Sequence, residues 1–146
     1  MAFDEYFNGP VKAWGIVQNR QGKVIRRFDI DMLGTWQGDK GELNEKFTYY
    51  DGEKSERTWK VQKTADGKFI AQADDIIGDG LGETSGNAAL WQYVMRVNVG
   101  DKQYDIHFDD WMFMMNDGVV INRSYMKKFG FRVGEITIVM QKMPIK

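Results

Sequence analysis

The chain contains no cysteine, which excludes disulfide bonds, thiolate metal sites and cysteine nucleophiles. Its single histidine, His107, falls on the polar face of its segment, where it cannot serve a multi-histidine zinc site or a Ser-His-Asp triad. The stretch from Asp74 to Gly82 resembles a calcium loop but lacks the glutamate that ends the EF-hand signature, so we expect a glycine-rich bulge there. We therefore expect no metal and no cofactor, and we name no catalytic residue.

Neither sign of charge dominates. The 20 Lys and Arg residues are scattered among 21 Asp and Glu residues, so the chain lacks the basic stripe of a nucleic-acid surface. No apolar run approaches the roughly 18 residues of a membrane span. The opening residues, Met-Ala-Phe-Asp-Glu, do not look like a secretory leader. We expect no nucleic-acid partner and no transmembrane segment, and membrane association only through a lipoprotein leader, which these first residues do not show.

Proline is scarce and helical periodicity is almost absent. Pro10 and Pro144 lie near the ends of the chain, where they cannot break a central strand. A short helix over residues 4–8 fits the pattern; elsewhere, glycine-containing turn signals separate β-branched and aromatic runs. This pattern predicts an all-β meander, either a sandwich or a barrel. Of the two we expect the barrel, antiparallel, up-and-down and lipocalin-like, with about eight to ten strands. We expect residues 1–146 to form this single domain.

The hairpin around Gly100 and Asp101 gives the clearest register. A two-residue turn there places Trp91 opposite Asp110 and Tyr93 opposite Phe108, on a face that continues to Met112. That face is apolar except for Asp110, whereas the opposite face is polar. A carboxylate on an apolar face needs a partner or a purpose, so Asp110 is the first candidate site residue. Its neighbour Asp109 belongs to the outer face.

The next hairpin supplies a candidate partner for Asp110. With Asp117 and Gly118 as a two-residue turn, Tyr125 faces Asp110 and Arg123 is its diagonal neighbour on the inner face. A guanidinium within side-chain reach favours the ionised form of the carboxylate and lowers its pKa. We therefore expect Arg123 to clamp Asp110 and to make it a poor general base at neutral pH.

A second inward pair comes from the hairpin around residues 51–53. Taken as a three-residue loop, it places Phe47 opposite Arg57 and Glu45 opposite Trp59. Glu45 and Arg57 then form a diagonal pair of opposite charge on an apolar face. Arg26 is a third candidate for an inward charge.

Three interpretations of these inward charges remain open. They are buried ion pairs that fix the register of the barrel, or polar anchors at the base of an apolar cavity, or acids and bases, which would need a carboxylate of raised pKa. In the second interpretation the arginines hold a ligand head group, each oriented by its carboxylate, and the cavity wall is apolar and aromatic. The predicted ligand-binding residues are Arg123, Arg57, Asp110, Glu45, Trp91, Tyr93, Phe108, Met112 and Tyr125.

Ordered short motifs over nearly the whole chain resemble one bacterial family. They include Phe7-Asn-Gly9, Gly34-Thr-Trp36, Leu43-Asn-Glu-Lys-Phe47, Arg57-Thr-Trp59, Asp109-Asp-Trp-Met112 and Asn122-Arg123. The chain is similar in these motifs to the "domain of unknown function 3833" family, which has no established activity. The resemblance implies a calycin-like barrel in a lipoprotein-like protein, periplasmic or associated with the outer membrane. If the chain is complete as given, a cytoplasmic location is expected instead.

The expected function is non-catalytic binding of an apolar or amphipathic small ligand, a fatty acid or another lipid, in the barrel. The resemblance links this function to modification of bacterial envelope lipids. One alternative is a lipid-modifying isomerase, hydratase or cyclase that uses Asp110 or Glu45 as acid or base. The other is a structural envelope protein with a closed core. The sequence carries no signal for an oligomeric state.

Overall fold

Ten antiparallel strands close into one up-and-down barrel in a computed structural model that describes residues 1–144. A short helix, α1 (Phe3–Tyr6), precedes them, and a 3-10 turn (Asn116–Gly118) joins the eighth strand to the ninth. The strands are β1 (Gly9–Asn19), β2 (Val24–Gln37), β3 (Lys40–Tyr49), β4 (Lys54–Ala65), β5 (Lys68–Gln72), β6 (Ile76–Ser85), β7 (Ala88–Val99), β8 (Lys102–Met114), β9 (Val119–Lys128) and β10 (Phe131–Lys142). The predicted all-β barrel is confirmed, whereas the last two residues of the predicted domain lie outside the described part.

Each strand pairs with its neighbours in sequence, and β1 pairs with β10 to close the barrel. Closure leaves no unpaired strand edge. Because the chain runs up and down, the β1–β2, β3–β4, β5–β6, β7–β8 and β9–β10 connections surround one end, here called the mouth. The remaining connections and α1 lie at the opposite, plugged end. Within residues 1–144, no helix is both long and apolar enough to cross a membrane.

Aromatic side chains from the N-terminal segment close the plugged end. Phe3 and Phe7 are 3% and 1% exposed, and the ring of Phe3 lies 5.1 Å from that of Trp91. The indole nitrogen of Trp36 donates to the carbonyl of Phe7 at 3.2 Å. A Cβ at Gly34 would lie 1.5 Å from the same oxygen. The Gly34-Thr-Trp36 motif therefore holds the N-terminal aromatic segment, here called the plug (Phe3 and Phe7), in place. Its glycine allows the Phe7 carbonyl to approach closely, and its tryptophan donates a hydrogen bond to that carbonyl.

The predicted register of β7 and β8 is confirmed. Trp91 lies opposite Asp110, and Tyr93 lies opposite Phe108. Asp109 is on the outer face, where it accepts hydrogen bonds from Lys127 and Gln92.

The predicted register of β8 and β9 is wrong by one residue. The loop contains three residues, because Asn116 joins Asp117 and Gly118 in the turn, and Met114 therefore pairs with Val120. Asp117 and Gly118 have φ angles of 63° and 74°, left-handed values that asparagine, aspartate and glycine adopt more readily than other residues. Since successive strand residues alternate between faces, a slip of one residue exchanges the faces of β9.

This slip removes two predicted residues from the cavity. Arg123 pairs with Trp111 and is exposed on the outer face. Tyr125 pairs with Asp109 on the same outer face, under the guanidinium of Arg132, whose carbon lies 3.9 Å from the ring centroid. The predictions that Arg123 clamps Asp110 and that Arg123 and Tyr125 line the cavity are therefore wrong.

The register of β3 and β4 differs from the prediction by two residues. Glu45 lies directly opposite Arg57, and Phe47 lies opposite Ser55. Because a shift of two residues keeps each side chain on its face, the inward placement of Glu45 and Arg57 is confirmed, although they are direct partners rather than diagonal ones. Arg26 is at the mouth, half-buried, with a nitrogen 2.9 Å from a carboxylate oxygen of Glu53.

Candidate functional site

A cavity of about 510 Å³ occupies the barrel between the plug and the mouth. This volume falls within the range of small-molecule sites, roughly 300–1,000 Å³. Four predicted lining residues, Trp91, Tyr93, Phe108 and Met112, lie on its wall. Other apolar lining residues are Phe3, Phe28, Ile30, Phe47, Met95, Met126, Ile136, Ile138 and Met140.

One polar group in this wall centres on Arg57. Its Nη2 and Nε lie 2.7 and 3.0 Å from the two carboxylate oxygens of Asp75, which comes from the β5–β6 connection. Its Nη1 lies 3.7 Å from Oε1 of Glu45. The same Glu45 oxygen accepts a hydrogen bond from the indole nitrogen of Trp59 at 2.8 Å. Arg57 is thus held between two carboxylates, and its charge is already matched.

Burial and charge pairing oppose each other in setting the pKa values of Glu45 and Arg57. Burial raises the pKa of Glu45, whereas the charge of Arg57 and the hydrogen bond from Trp59 oppose that rise. For Arg57, burial disfavours the charged form, but the hydrogen bonds to Asp75 and the charge of Glu45 outweigh it, so its pKa lies above the ordinary value. The guanidinium therefore stays charged, while Glu45 binds a proton more readily than an exposed glutamate.

The second polar group centres on Asp110. Tyr93 donates a hydrogen bond to its Oδ2 at 3.1 Å, and Asn122 donates to its Oδ1. Burial raises the pKa of Asp110, and the hydrogen bonds from Asn122, Ser124 and Tyr93 act against this rise. Within residues 1–144, Asp110 forms no salt bridge. The expected lowering of its pKa by an arginine is therefore wrong, and its direction is reversed.

The two groups form one electrostatic site, here called the polar centre: Glu45, Arg57, Asp75, Tyr93, Asp110, Asn122 and Ser124. The charge of Asp110 raises the pKa of Glu45, and burial followed by the charge of Asp110 raises the pKa of Tyr93 well above its ordinary value. The centre contains three carboxyl groups and one guanidinium, which contacts only Glu45 and Asp75, so the centre has an excess of acid. Chemically, it can accept hydrogen bonds from a donor, bind a cation, or exchange a proton at Asp110.

Sequence reasoning missed three members of the polar centre. Asn122 and Ser124 were placed on the outer face by the one-residue error in the β8–β9 turn, and the Asn-Asp-Gly sequence of that turn was the signal that could have corrected it. Asp75 reaches Arg57 from a loop, and no local pattern predicts that contact.

The remainder of the described chain offers weaker candidates. A depression of about 640 Å³ on β2 to β5 is lined mainly by exposed polar side chains such as Gln37, Lys60 and Gln72. In residues 1–144, no cluster of three acidic or histidine side chains is suited to hold a metal ion. The barrel cavity is therefore the candidate site.

Comparison with protein families gives one match. The model of a family described as "protein of unknown function (DUF3833)" matches residues 1–142, and it confirms the resemblance carried by the short motifs. A comparison with curated proteins found no match.

Proposed function

Because this chain belongs to the DUF3833 family, whose description assigns no function, we propose one from its geometry: it binds a small amphipathic molecule, such as a lipid, inside the barrel. The observation that carries this proposal is the cavity of about 510 Å³, with an apolar wall and a buried polar centre. Apolar walls with a few placed polar groups are typical of small-molecule sites. A cavity of this size counts against the alternative of a closed structural core.

The polar centre favours a ligand that donates hydrogen bonds. Arg57 is matched by Asp75 and Glu45, so its positive charge is not available to a second anion. An incoming carboxylate would also meet Asp110, which lacks an arginine partner. A hydroxyl or amine at the inner end of the ligand would instead donate to Asp110 or Glu45. We therefore replace the expected fatty-acid anchor with an alcohol or amine head group.

The apolar part of the ligand would contact the aromatic and aliphatic wall. Phe28 and Phe108 are 3% and 4% exposed, and Met112 is 8% exposed. Methionine is flexible and polarisable, so it adapts to ligands of different shape. This wall supports a preference for alkyl chains over rigid polar molecules.

The plugged end supports a lipocalin-like mode of action within the same proposal. A Gly-x-Trp motif holds the plug, and the ligand would enter through the opposite end, the mouth. The barrel has ten strands, which leaves more interior than the eight-stranded barrels that hold one small ligand. An envelope location belongs to this proposal as well and is checked by fractionating bacterial cells.

A head-group series tests the proposal. Delipidated protein is titrated with decanol, decylamine, decanoate and methyl decanoate, and binding is followed by the fluorescence of Trp59 and Trp91, which line the cavity. We expect decanol and decylamine to bind at least tenfold more tightly than decanoate, about 1.4 kcal/mol. Equal affinities for the alcohol, the amine and the acid would contradict the head-group assignment, and the absence of saturable binding would contradict the proposed function.

Two variants separate the site from the outer surface. Asp110→Asn removes the carboxylate that would accept from an amine, so the affinity for decylamine should fall more than that for methyl decanoate. Arg123→Ala changes only the outer face and should leave every affinity unchanged. Equal decreases in decylamine affinity in Asp110→Asn and Arg123→Ala would place binding outside the cavity.

One observation favours a second candidate, acid–base catalysis on a lipid. Asp110 faces the cavity, and burial raises its pKa; a general acid or base needs a shift in this direction, toward neutral pH. Exchange of acyl-chain hydrogen for deuterium in D₂O would report such proton transfer. Exchange that occurs in the wild type and disappears in Asp110→Asn, while ligand binding persists, would support acid–base catalysis by Asp110.

A further inference from the structure

Large apolar side chains are exposed at the mouth, on two neighbouring hairpin tips. Phe129 and Phe131 of the β9–β10 tip are 84% and 74% exposed, and Val24 and Ile25 of the β1–β2 tip are 44% and 58% exposed. The tips are adjacent because β1 pairs with β10, with Asn19 opposite Gly134. We call these four residues the tip patch. A group of large apolar side chains on a surface marks a contact with another molecule.

The backbone of Phe129 shows that the fold alone does not favour this residue. Phe129 and Gly130 form a two-residue turn between Lys128 and Phe131, with φ angles of 52° and 79°. Turns with two positive φ angles prefer asparagine, aspartate or glycine at the first position, and a bulky residue there is strained. Because Phe129 is 84% exposed, burial within the chain does not offset this strain.

The two hairpin tips that carry the tip patch are rich in basic residues. Residues 20–27 contain four basic and no acidic residues, and residues 127–133 contain three basic and no acidic residues, in a chain whose net charge is -1. Some of these cations are matched: Lys127 pairs with Asp109, and Arg26 pairs with Glu53. Lys128 remains beside the tip, with its ammonium 4.6 Å from the ring centroid of Phe129.

Exposed aromatic rings with lysine and arginine beside them suit one partner in particular. Aromatic and aliphatic side chains enter the interfacial region of a bilayer, while basic side chains are attracted to anionic lipid head groups. A protein partner would need complementary acidic side chains and a shaped pocket for two phenylalanines, whereas a bilayer needs neither.

We propose that the mouth docks on an anionic lipid bilayer, with Phe129 and Phe131 inserted among the head groups and the basic residues of both tips against lipid phosphates. This surface goes beyond ligand binding, because docking requires no molecule in the cavity. It also differs from the expectation that only a leader would bring the chain to a membrane. If the cavity binds a lipid, docking would place its opening against the source of that lipid.

Co-sedimentation of the full chain with vesicles tests this proposal. We expect binding to vesicles of equal parts phosphatidylglycerol and phosphatidylcholine, and at least tenfold weaker binding to phosphatidylcholine alone. Phe129→Asn relieves the strained turn, so it should fold at least as well as the wild type while its vesicle affinity falls about tenfold, as expected for loss of a buried aromatic side chain. Lys128→Gln with Arg132→Gln should weaken binding and reduce its dependence on salt.

Leu81→Ser is the matched control, because Leu81 is 59% exposed on β6, away from both tips; it should bind vesicles like the wild type. Absence of wild-type binding to anionic vesicles, or full binding by Phe129→Asn, would overturn the proposal. Self-association of the wild type that Phe129→Asn abolishes, without vesicle binding, would assign the tip patch to a second copy of this chain instead. None of these readouts uses a cavity ligand, so failure here leaves the proposed function to its own test.

Discussion

Replacing Arg57 with methionine tests the electrostatics of the polar centre. Its Nη1 lies 3.7 Å from the carboxylate of Glu45, and at an effective dielectric constant near 20 this attraction amounts to roughly 4 kcal/mol. Asp75 is partly exposed at the mouth, with 37% of its side chain accessible. Water can therefore solvate its carboxylate when the guanidinium of Arg57 is removed. Breaking a buried pair by removing one partner costs about 3–5 kcal/mol. We expect Arg57→Met to lower the free energy of unfolding by about 3 kcal/mol at mildly alkaline pH.

The decrease in the free energy of unfolding caused by Arg57→Met should depend on pH, in a direction set by Glu45. Burial already raises its pKa, and removing Arg57 removes an opposing charge. A group whose pKa is raised in the folded state stabilises the fold below its unfolded pKa, and that contribution is lost as the pH rises through the folded value. The cost of Arg57→Met should therefore be small near the ordinary pKa of glutamate and grow toward alkaline pH.

Urea unfolding followed by tryptophan fluorescence measures both effects. The double variant Glu45→Gln with Arg57→Met is the matched control, because it leaves no unpaired glutamate and should recover most of the stability. Arg57→Met with stability within about 0.5 kcal/mol of the wild type at both acidic and alkaline pH would refute the reasoning. So would an equal loss in the double variant.

Three further substitutions give separate expectations. Asp110→Asn should stabilise the fold at alkaline pH, because burial raises the pKa of this carboxyl. The free energy of unfolding of Asp110→Asn, measured with urea, should equal that of the wild type below the ordinary pKa of aspartate. Its excess over the wild type should grow by up to about 1.4 kcal/mol per pH unit as the pH rises from there through the raised folded-state pKa of Asp110. A pH-independent difference would contradict this assignment. Gly34→Ala should lower the free energy of unfolding by about 2 kcal/mol, because the added Cβ would lie 1.5 Å from the Phe7 carbonyl oxygen. Gly80→Ala, whose Cβ would be 3.4 Å from its nearest neighbour, should cost less, and equal losses would argue against the seating role of Gly34. Phe129→Asn should raise the midpoint of thermal unfolding, since relief of a strained left-handed residue gains about 1 kcal/mol or more; a lowered midpoint would show that the turn is not strained.

The sequence was sufficient for the barrel and for one wall of the cavity. In β7 and β8, one face alternates apolar residues with a single acid, and the Gly100-Asp101 turn admits one register that makes both faces coherent. Where the apolar alternation and the turn residues predict the same register, the residues on the inner face can be predicted from the sequence. Glu45 and Arg57 were placed inward for a related reason, because an error of two residues preserves the face.

β9 was placed wrongly because its pattern does not distinguish its faces. Asn122 and Ser124 point inward, while Ile121 points outward with 38% exposure. With no apolar alternation to set the register, the turn alone decides it, and Asp-Gly suggests a two-residue turn. The three-residue turn moved Arg123 outside and brought Asn122 to Asp110.

The contact between Asp75 and Arg57 could not be predicted locally. It joins the β5–β6 connection to the mouth end of the neighbouring strand β4, and it depends on the conformation of that connection. The excess of acid in the polar centre follows from this contact and from the absence of Arg123. For that reason the preferred ligand changed from an anion to a hydrogen-bond donor.

The affinity of decanol for a variant with a narrowed mouth tests the central claim most directly. Ser55 lines the cavity where it opens, and Ser55→Trp should weaken decanol binding at least tenfold, or about 1.4 kcal/mol. Lys54→Trp adds the same ring one residue earlier on the outer face and should bind decanol like the wild type. Equal affinities in the wild type, Ser55→Trp and Lys54→Trp would mean that the ligand does not enter the barrel and would contradict the account.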